Sequence, residues 1–298
     1  MADEGTQRTP LGEYGLIGDT RTAALCSSGG SIDWLCLPRF DGEPIFGRLV
    51  GGDDAGSFRI APAAAVSPAR RRYQPGSVVL ETTWRSGASE LTLTEGMVAN
   101  VAGRLLPPSL LVRHLASRGG PTRVRLCFDP RLGEGRHRPH VHRRRGSVVC
   151  TWGSLAVALS ASVNLEVEPG REVEVVVDES RPLVLALATA HREPLVHVPA
   201  EQAWEELQAT DEWWRAWSAE IGDVGPFRDA TVRSLLTLKL LTYSPSGAPV
   251  AAPTTSLPEE LGGSRNWDYR YAWPRDASIG IAAFLGCGRE QEARAFLY

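Results

Sequence analysis

A chain of 298 residues carrying 35 acidic side chains against 32 Lys and Arg, a formal charge of -3, is too evenly balanced for a general nucleic-acid or anionic-membrane binder. Its length is enough for more than one hydrophobic core, since single cores stop growing near this size. Hydrophobic residues at 43% and charged ones at 22% are ordinary for a globular chain, while 30 Gly and 21 Pro without a repeat favour many turns, and so β-structure over bundles.

The opening run, MADEGTQRTPLGEYG, has neither a basic segment nor an apolar one, so no secretory signal is legible. No stretch approaches the roughly 18 apolar residues of a membrane span. Five cysteines (Cys26, Cys36, Cys127, Cys150 and Cys287) are scattered with no C-x-x-C spacing. They read as reduced, buried thiols of a cytoplasmic protein rather than a zinc site or a disulfide framework.

From about 11 to 198 the pattern is strand after strand. Val78, Leu80 and Trp84 alternate with Glu81, Thr83 and Arg85; Ser86-Gly87 turns the chain, and Leu91 and Leu93 alternate with Thr92 and Thr94, which predicts a hairpin. Val124, Leu126 and Phe128 mark a half-buried strand. The segments 147–163, 171–177 and 183–190 continue the series, with a turn at Pro169-Gly170. Many short strands separated by turns predict an antiparallel β-sandwich. Within this region 131–145, RLGEGRHRPHVHRRR, is strongly basic. His140 and His142 share one strand face there, but with no third ligand the segment reads as a solvated hairpin rather than a metal or anion site. Asp19, Asp33 and Asp41 are given strand-end and turn roles by default, with a loop from this region reaching the helical part as the lesser alternative.

The character changes near Pro199. Residues 201–221, EQAWEELQATDEWWRAWSAEI, hold no Pro or Gly and predict one or two helices. Trp213, Trp214 and Trp217 read as interdomain packing, with 213 and 217 one turn apart. Pro226 opens a second helix over 227–243, with Val232, Leu235, Leu236, Leu238 and Leu240 as its apolar positions, and Ser244-Pro245 closes it. A Pro-, Gly- and Ser-rich loop, 246–273, leads to a helix from Pro274 to Leu285 that ends at Gly286. The final stretch, 289–298, is helical and uncapped, which predicts a fragment with apolar surface such as Leu236, Leu240, Phe284 and Phe296 exposed at its helical end.

The segment 266–277, NWDYRYAWPRDA, resembles the N-x-D-Y-x-Y-x-W-x-R-D-A signature of glycoside hydrolase family 15, the glucoamylase and trehalase group. Residues 14–40, YGLIGDTRTAALCSSGGSIDWLCLPRF, resemble the opening of its bacterial members. The resemblance covers nearly the whole chain but about half of a typical member. It implies an α+β multidomain fold: an N-terminal antiparallel β-sandwich over 1–200, a helical linker over 201–225, and the first helices of a truncated (α/α)6 barrel over 226–298.

The activity it implies is release of glucose from α-linked glucosides such as trehalose or maltodextrins. The mechanism is inverting acid/base hydrolysis, without cofactor or metal, on glutamates beyond Tyr298. No catalytic residue is therefore assigned within the chain. Arg275 and Asp276 match the pair that holds the hydroxyls at carbons 4 and 6 of the terminal glucose. A cation beside a carboxylate suits a hydroxyl that both donates and accepts. Tyr269 and Trp273 match the aromatic wall, whereas Trp267 and Tyr271 read as a packing plug between barrel and sandwich. Ala272 and Pro274 depart from the commonest bacterial residues without touching the polar pair. A small carbohydrate is the expected partner, with no nucleic acid and no membrane, and a homo-oligomer is left open. Two alternatives remain: a non-catalytic carbohydrate-binding sandwich module, and a disaccharide phosphorylase relative by fold analogy alone.

Overall fold

The computed structural model describes residues 9–99, 103–255, 260 and 262–297. Residues 1–8, within the segment read above for a secretory signal, and Tyr298 lie outside the described residues. The chain opens with strands β1 (Gly15–Gly18), β2 (Ala23–Cys26), β3 (Ser31–Leu37) and β4 (Glu43–Phe46) and a short helix α1 (Arg48–Gly51). Next come β5 (Ser57–Pro62), β6 (Pro68–Tyr73), β7 (Leu80–Ser86), β8 (Ser89–Met97), β9 (Leu110–Arg118) and β10 (Thr122–Asp129). The sheet region ends with β11 (His140–Arg144), β12 (Ser147–Trp152), β13 (Leu155–Ala161), β14 (Glu172–Val177) and β15 (Leu183–His191). After it come α2 (Ala200–Ala219), α3 (Arg228–Leu240), a small ribbon β16 (Thr242–Tyr243) and β17 (Ala248–Pro249), α4 (Pro274–Gly286) and α5 (Glu290–Leu297).

The strands form two large antiparallel sheets. One runs β1-β2-β3-β5-β10-β14 with β4 paired to β3; the other runs β11-β12-β13-β15-β9-β8-β7-β6. The predicted hairpin is β7–β8, closed where Ser86 pairs with Ser89, so the turn residues are Gly87 and Ala88, one position later than expected. Gly87 adopts φ +60°, which its missing Cβ permits. The inward rows of both sheets meet in a core that includes Phe46, Phe58 and Phe128 from one and Trp84, Leu93 and Leu187 from the other. Inside it Arg113 is fully buried. Its Nε donates to Glu95 Oε2 at 3.0 Å, Nη1 to the Phe58 carbonyl at 2.6 Å and Nη2 to the Gly30 carbonyl at 2.7 Å, so one guanidinium ties the sheets together.

Helix α2, a single helix, lies on the outer face of the second sheet. Ala203 and Leu207 pack with Val112, Val184 and Ala186 of β9 and β15. Strand β15 is thus covered on both faces, which explains its unbroken apolar run. The far end of α2 carries Trp214 and Trp217 into a further cluster with Phe40, Leu235, Leu236, Leu240 and Phe284. The packing role read for these tryptophans holds. The exposure expected for Leu236, Leu240 and Phe284 does not: they are 0, 1 and 3% exposed, and Phe296 is half-buried, because this end packs on β1 and α2. Leu240 sits against Gly18, where an added Cβ would come within 2.9 Å of its Cδ2. The bare apolar residues on the helices here include instead Ile279 and Leu285, at 66 and 52%, with Phe227 at 76% just ahead of α3. No helix among the described residues is long and apolar enough to cross a membrane.

The basic segment 131–145 ends in β11, an exposed edge strand on which His140 and His142 both face solvent. Among the described residues no three His, Cys, Asp or Glu side chains gather as a metal site would require.

Candidate functional site

The loop that carries the motif is pinned to the first sheet at Pro253 and at Arg270. Trp34 of β3 donates its indole N–H to the Pro253 carbonyl at 2.8 Å. Ala252 N donates to the Tyr269 carbonyl and Ala251 N to the Tyr271 carbonyl, at 2.8 and 3.1 Å, so the motif runs back alongside 251–252. Arg270 is the anchor. Its Nη2 donates to Asp268 Oδ2 at 2.7 Å and its Nη1 to the Gly42 carbonyl at 2.6 Å, beside Cys36 Sγ at 3.4 Å.

Burial opposes the charge on Arg270, but Asp268 and the neighbouring thiol outweigh it and leave the guanidinium more firmly protonated than usual. Burial likewise pushes Asp268 up, and the hydrogen bonds and charge of Arg270 outweigh it, holding the carboxyl below its ordinary value. Burial alone would leave Cys36 inert, and its thiol is pushed up to about 12.

Past this anchor the four expected site residues fall into two pairs at the approach to α4, Tyr269 with Trp273 and Arg275 with Asp276. Trp273 is the last extended residue, Pro274 starts the helix, and Asp276 lies in its first turn, where the helix dipole favours a carboxylate. Tyr269 and Trp273 pack with ring centroids 5.2 Å apart and planes tilted by 35°. The Trp273 indole donates to the Asp268 carbonyl at 3.2 Å, which sets its orientation. Arg275 Nη2 lies 3.6 Å from Asp276 Oδ2, with the arginine side chain 79% exposed and the aspartate 37%. Asp276 Oδ2 is itself shielded from solvent and accepts no hydrogen bond among the described residues.

Trp267 and Tyr271 are not the packing plug expected of them. Both are 51% exposed, Trp267 standing edge-on to Trp273 at 6.4 Å. Tyr271 instead lines a cleft of about 200 Å³ with Tyr243, Arg270 and the Arg39–Asp41 ion pair, whose Nε and Oδ1 lie 2.9 Å apart. Asp41 therefore faces the helical region, as the lesser alternative had it and the strand-end and turn reading did not. Asp19 does hold a turn, its Oδ1 accepting from the amides of Arg21 and Thr22 at 2.8 Å. The Arg270 anchor was also missed, although its place between two tyrosines in the motif is the signal that could have found it.

Residues 3–213 match the family model described as trehalase-like, N-terminal. The chain belongs to this family. Residues 225–298 match the model for glycosyl hydrolases family 15, so the family read from the two motifs is the one found. A trehalase of Mycolicibacterium smegmatis is 34% identical over 96% of this chain and 46% of its own length. Trehalases of Thermoplasma volcanium and Mycobacterium tuberculosis are 32 and 33% identical, again over 96% of this chain and 46 and 45% of theirs. This trehalase-like chain thus spans about half the length of the curated relatives it matches. A solved structure assigned as a kojibiose phosphorylase from the human microbiome aligns with a TM-score of 0.47 and 10% identity over 96% of this chain and 42% of that one, a likeness that carries no argument.

Proposed function

We propose that the chain is the front portion of a glycoside hydrolase that releases glucose from α-linked glucosides such as trehalose or maltodextrins. Arg275 and Asp276 hold the terminal glucose and Tyr269 and Trp273 form the wall against its C–H face. The acid and base of an inverting hydrolysis come from the part of the relatives' length that this chain does not span.

The observation that supports this best is the unspent acceptor of Asp276 beside a guanidinium, with a paired aromatic wall at the approach to the same helix. A sugar hydroxyl needs a donor and an acceptor together, and its ring needs an apolar face. The same reading takes 1–200 as the sandwich, 201–225 as a helical linker and 226–298 as the start of an (α/α)6 barrel. In support, the two family matches part between 213 and 225, and α4 leaves Ile279 and Leu285 bare for further helices to cover. A cytoplasmic setting belongs to it too, supported by free cysteines of which four are buried.

The test is to extend the chain to the relatives' full length and assay trehalose, maltose and isomaltose. Glucose release with inversion at the anomeric carbon is expected from the extended protein and not from residues 1–298 alone. Hydrolysis by the 298-residue chain itself, or retention of configuration, contradicts the proposal.

A further inference from the structure

A second cleft lies far in sequence from the motif, on the outer face of the second sheet. Strand alternation supplies one wall: Arg70 and Arg72 from β6, Thr83 from β7, Thr92 and Thr94 from β8 and Arg118 from β9 all point outward. Helix α2 supplies the other wall, with Trp204, Gln208, Asp211 and Arg215 at helical spacing along one side. Between them is a groove of about 660 Å³, within the range of roughly 300–1,000 Å³ usual for small-molecule sites. Trp204 is half-buried at its edge, stacked on His114 with centroids 4.1 Å apart and planes 13° from parallel. Burial pushes His114 down to about 4, so the stack is neutral near pH 7.

The charge along the groove decides what suits it. Five arginines (70, 72, 85, 118 and 215) face four carboxylates (Glu81, Glu90, Asp211 and Glu212). Three pairs are closed, Arg72–Glu81 and Arg85–Glu90 at 2.8 Å and Arg215–Asp211 at 2.6 Å. Arg70 and Arg118 have no ion-pair partner among the described residues, and neither has Glu212. A polyanion would meet the carboxylates, and a purely apolar ligand would strand the charges. A neutral molecule rich in hydroxyls finds donors, acceptors and an aromatic surface together.

We infer that this groove between α2 and strands β6–β9 is a second carbohydrate site, one that binds an oligosaccharide chain away from the α4 entrance. The ligand class rests on the glycosidase reading; the groove and its balance of charges do not. Trp204 contributes the aromatic edge for a pyranose, while Arg118, Gln208 and Thr92 supply hydroxyl partners.

Calorimetric titration of the 298-residue chain with maltoheptaose tests it. Saturable binding is expected, weakened at least tenfold by Trp204→Ala and severalfold by Arg118→Ala. Arg118 is exposed and has no ion-pair partner among the described residues, so its variant keeps the test informative where the tryptophan variant fails to fold. Equal affinity in both groove variants overturns the inference. So does binding lost only in Asp276→Asn, which places the sugar at α4 and leaves the hydrolase reading standing. Binding of inorganic phosphate in place of the sugar overturns it as well.

Discussion

Arg270 shows how a side chain next to the residues proposed to bind sugar serves their placement. Its guanidinium spans Asp268 of its own loop and the Gly42 carbonyl of the loop before β4, and is 12% exposed. Hydrogen bonds to a charged group contribute about 1.5–3 kcal/mol each, and losing the cation leaves Asp268 unpaired. Arg270→Ala is therefore expected to lower stability by about 2 kcal/mol in urea titrations and to loosen the loop that aligns Tyr269 and Trp273. The pH dependence follows from Asp268, whose carboxyl is held below its ordinary value of 3.8 when folded. Between that value and the folded one the unfolded chain binds the extra proton, so stability is present above about pH 4 and lost as pH falls through the folded value. Arg270→Ala flattens that acid limb. A variant with unchanged slope below pH 4 would mean that another carboxylate carries it.

Among the secondary-structure elements, the helical end docks on the sandwich through Leu240, which fills the space over Gly18 of β1. Leu→Ala in a packed core costs about 2–5 kcal/mol. Leu240→Ala should cost about 3 kcal/mol and shift the helical signal and the tryptophan fluorescence together. A loss under about 0.5 kcal/mol, the scale of a surface site, would mean that the helices are only loosely docked.

This docking also marks where sequence reading stopped. Alternation made β7, β8 and β10 legible because each has one wet face. The all-buried run of β3 has no alternation to read, and although 183–190 was legible as a strand, what covers β15 was not; each is covered by material far away in sequence: Pro253 and Arg270 over β3, α2 over β15. Helices α2 to α5 were legible from composition and from their Pro and Gly ends. Which of their faces is wet was not, since Leu236 and Ile279 look alike until the neighbouring elements are placed. The candidate site followed the same rule. The motif supplied Tyr269, Trp273, Arg275 and Asp276, while the half-exposed Tyr271 and the cleft contact of Asp41 depend on how two distant loops meet.

For the whole molecule, the two sheets make a scaffold against which a short helical segment holds an arginine, an aspartate and two aromatic rings at the approach to one helix. The claim that matters most is that Asp276 binds sugar, rather than merely opening a helix. A carboxylate in a first turn contributes only about 0.3–1 kcal/mol to helix stability, whereas a charged hydrogen bond to a substrate hydroxyl contributes about 2–3 kcal/mol, or roughly 30- to 150-fold in rate. The most direct measurement is kcat/KM for trehalose and maltose of the extended protein carrying Asp276→Asn, beside its thermal melting point. A fall of roughly 30- to 150-fold on the hydrolysed glucoside is expected, with the melting point nearly unchanged. Full activity in that variant would contradict it, and would leave Asp276 a helix-start residue and nothing more.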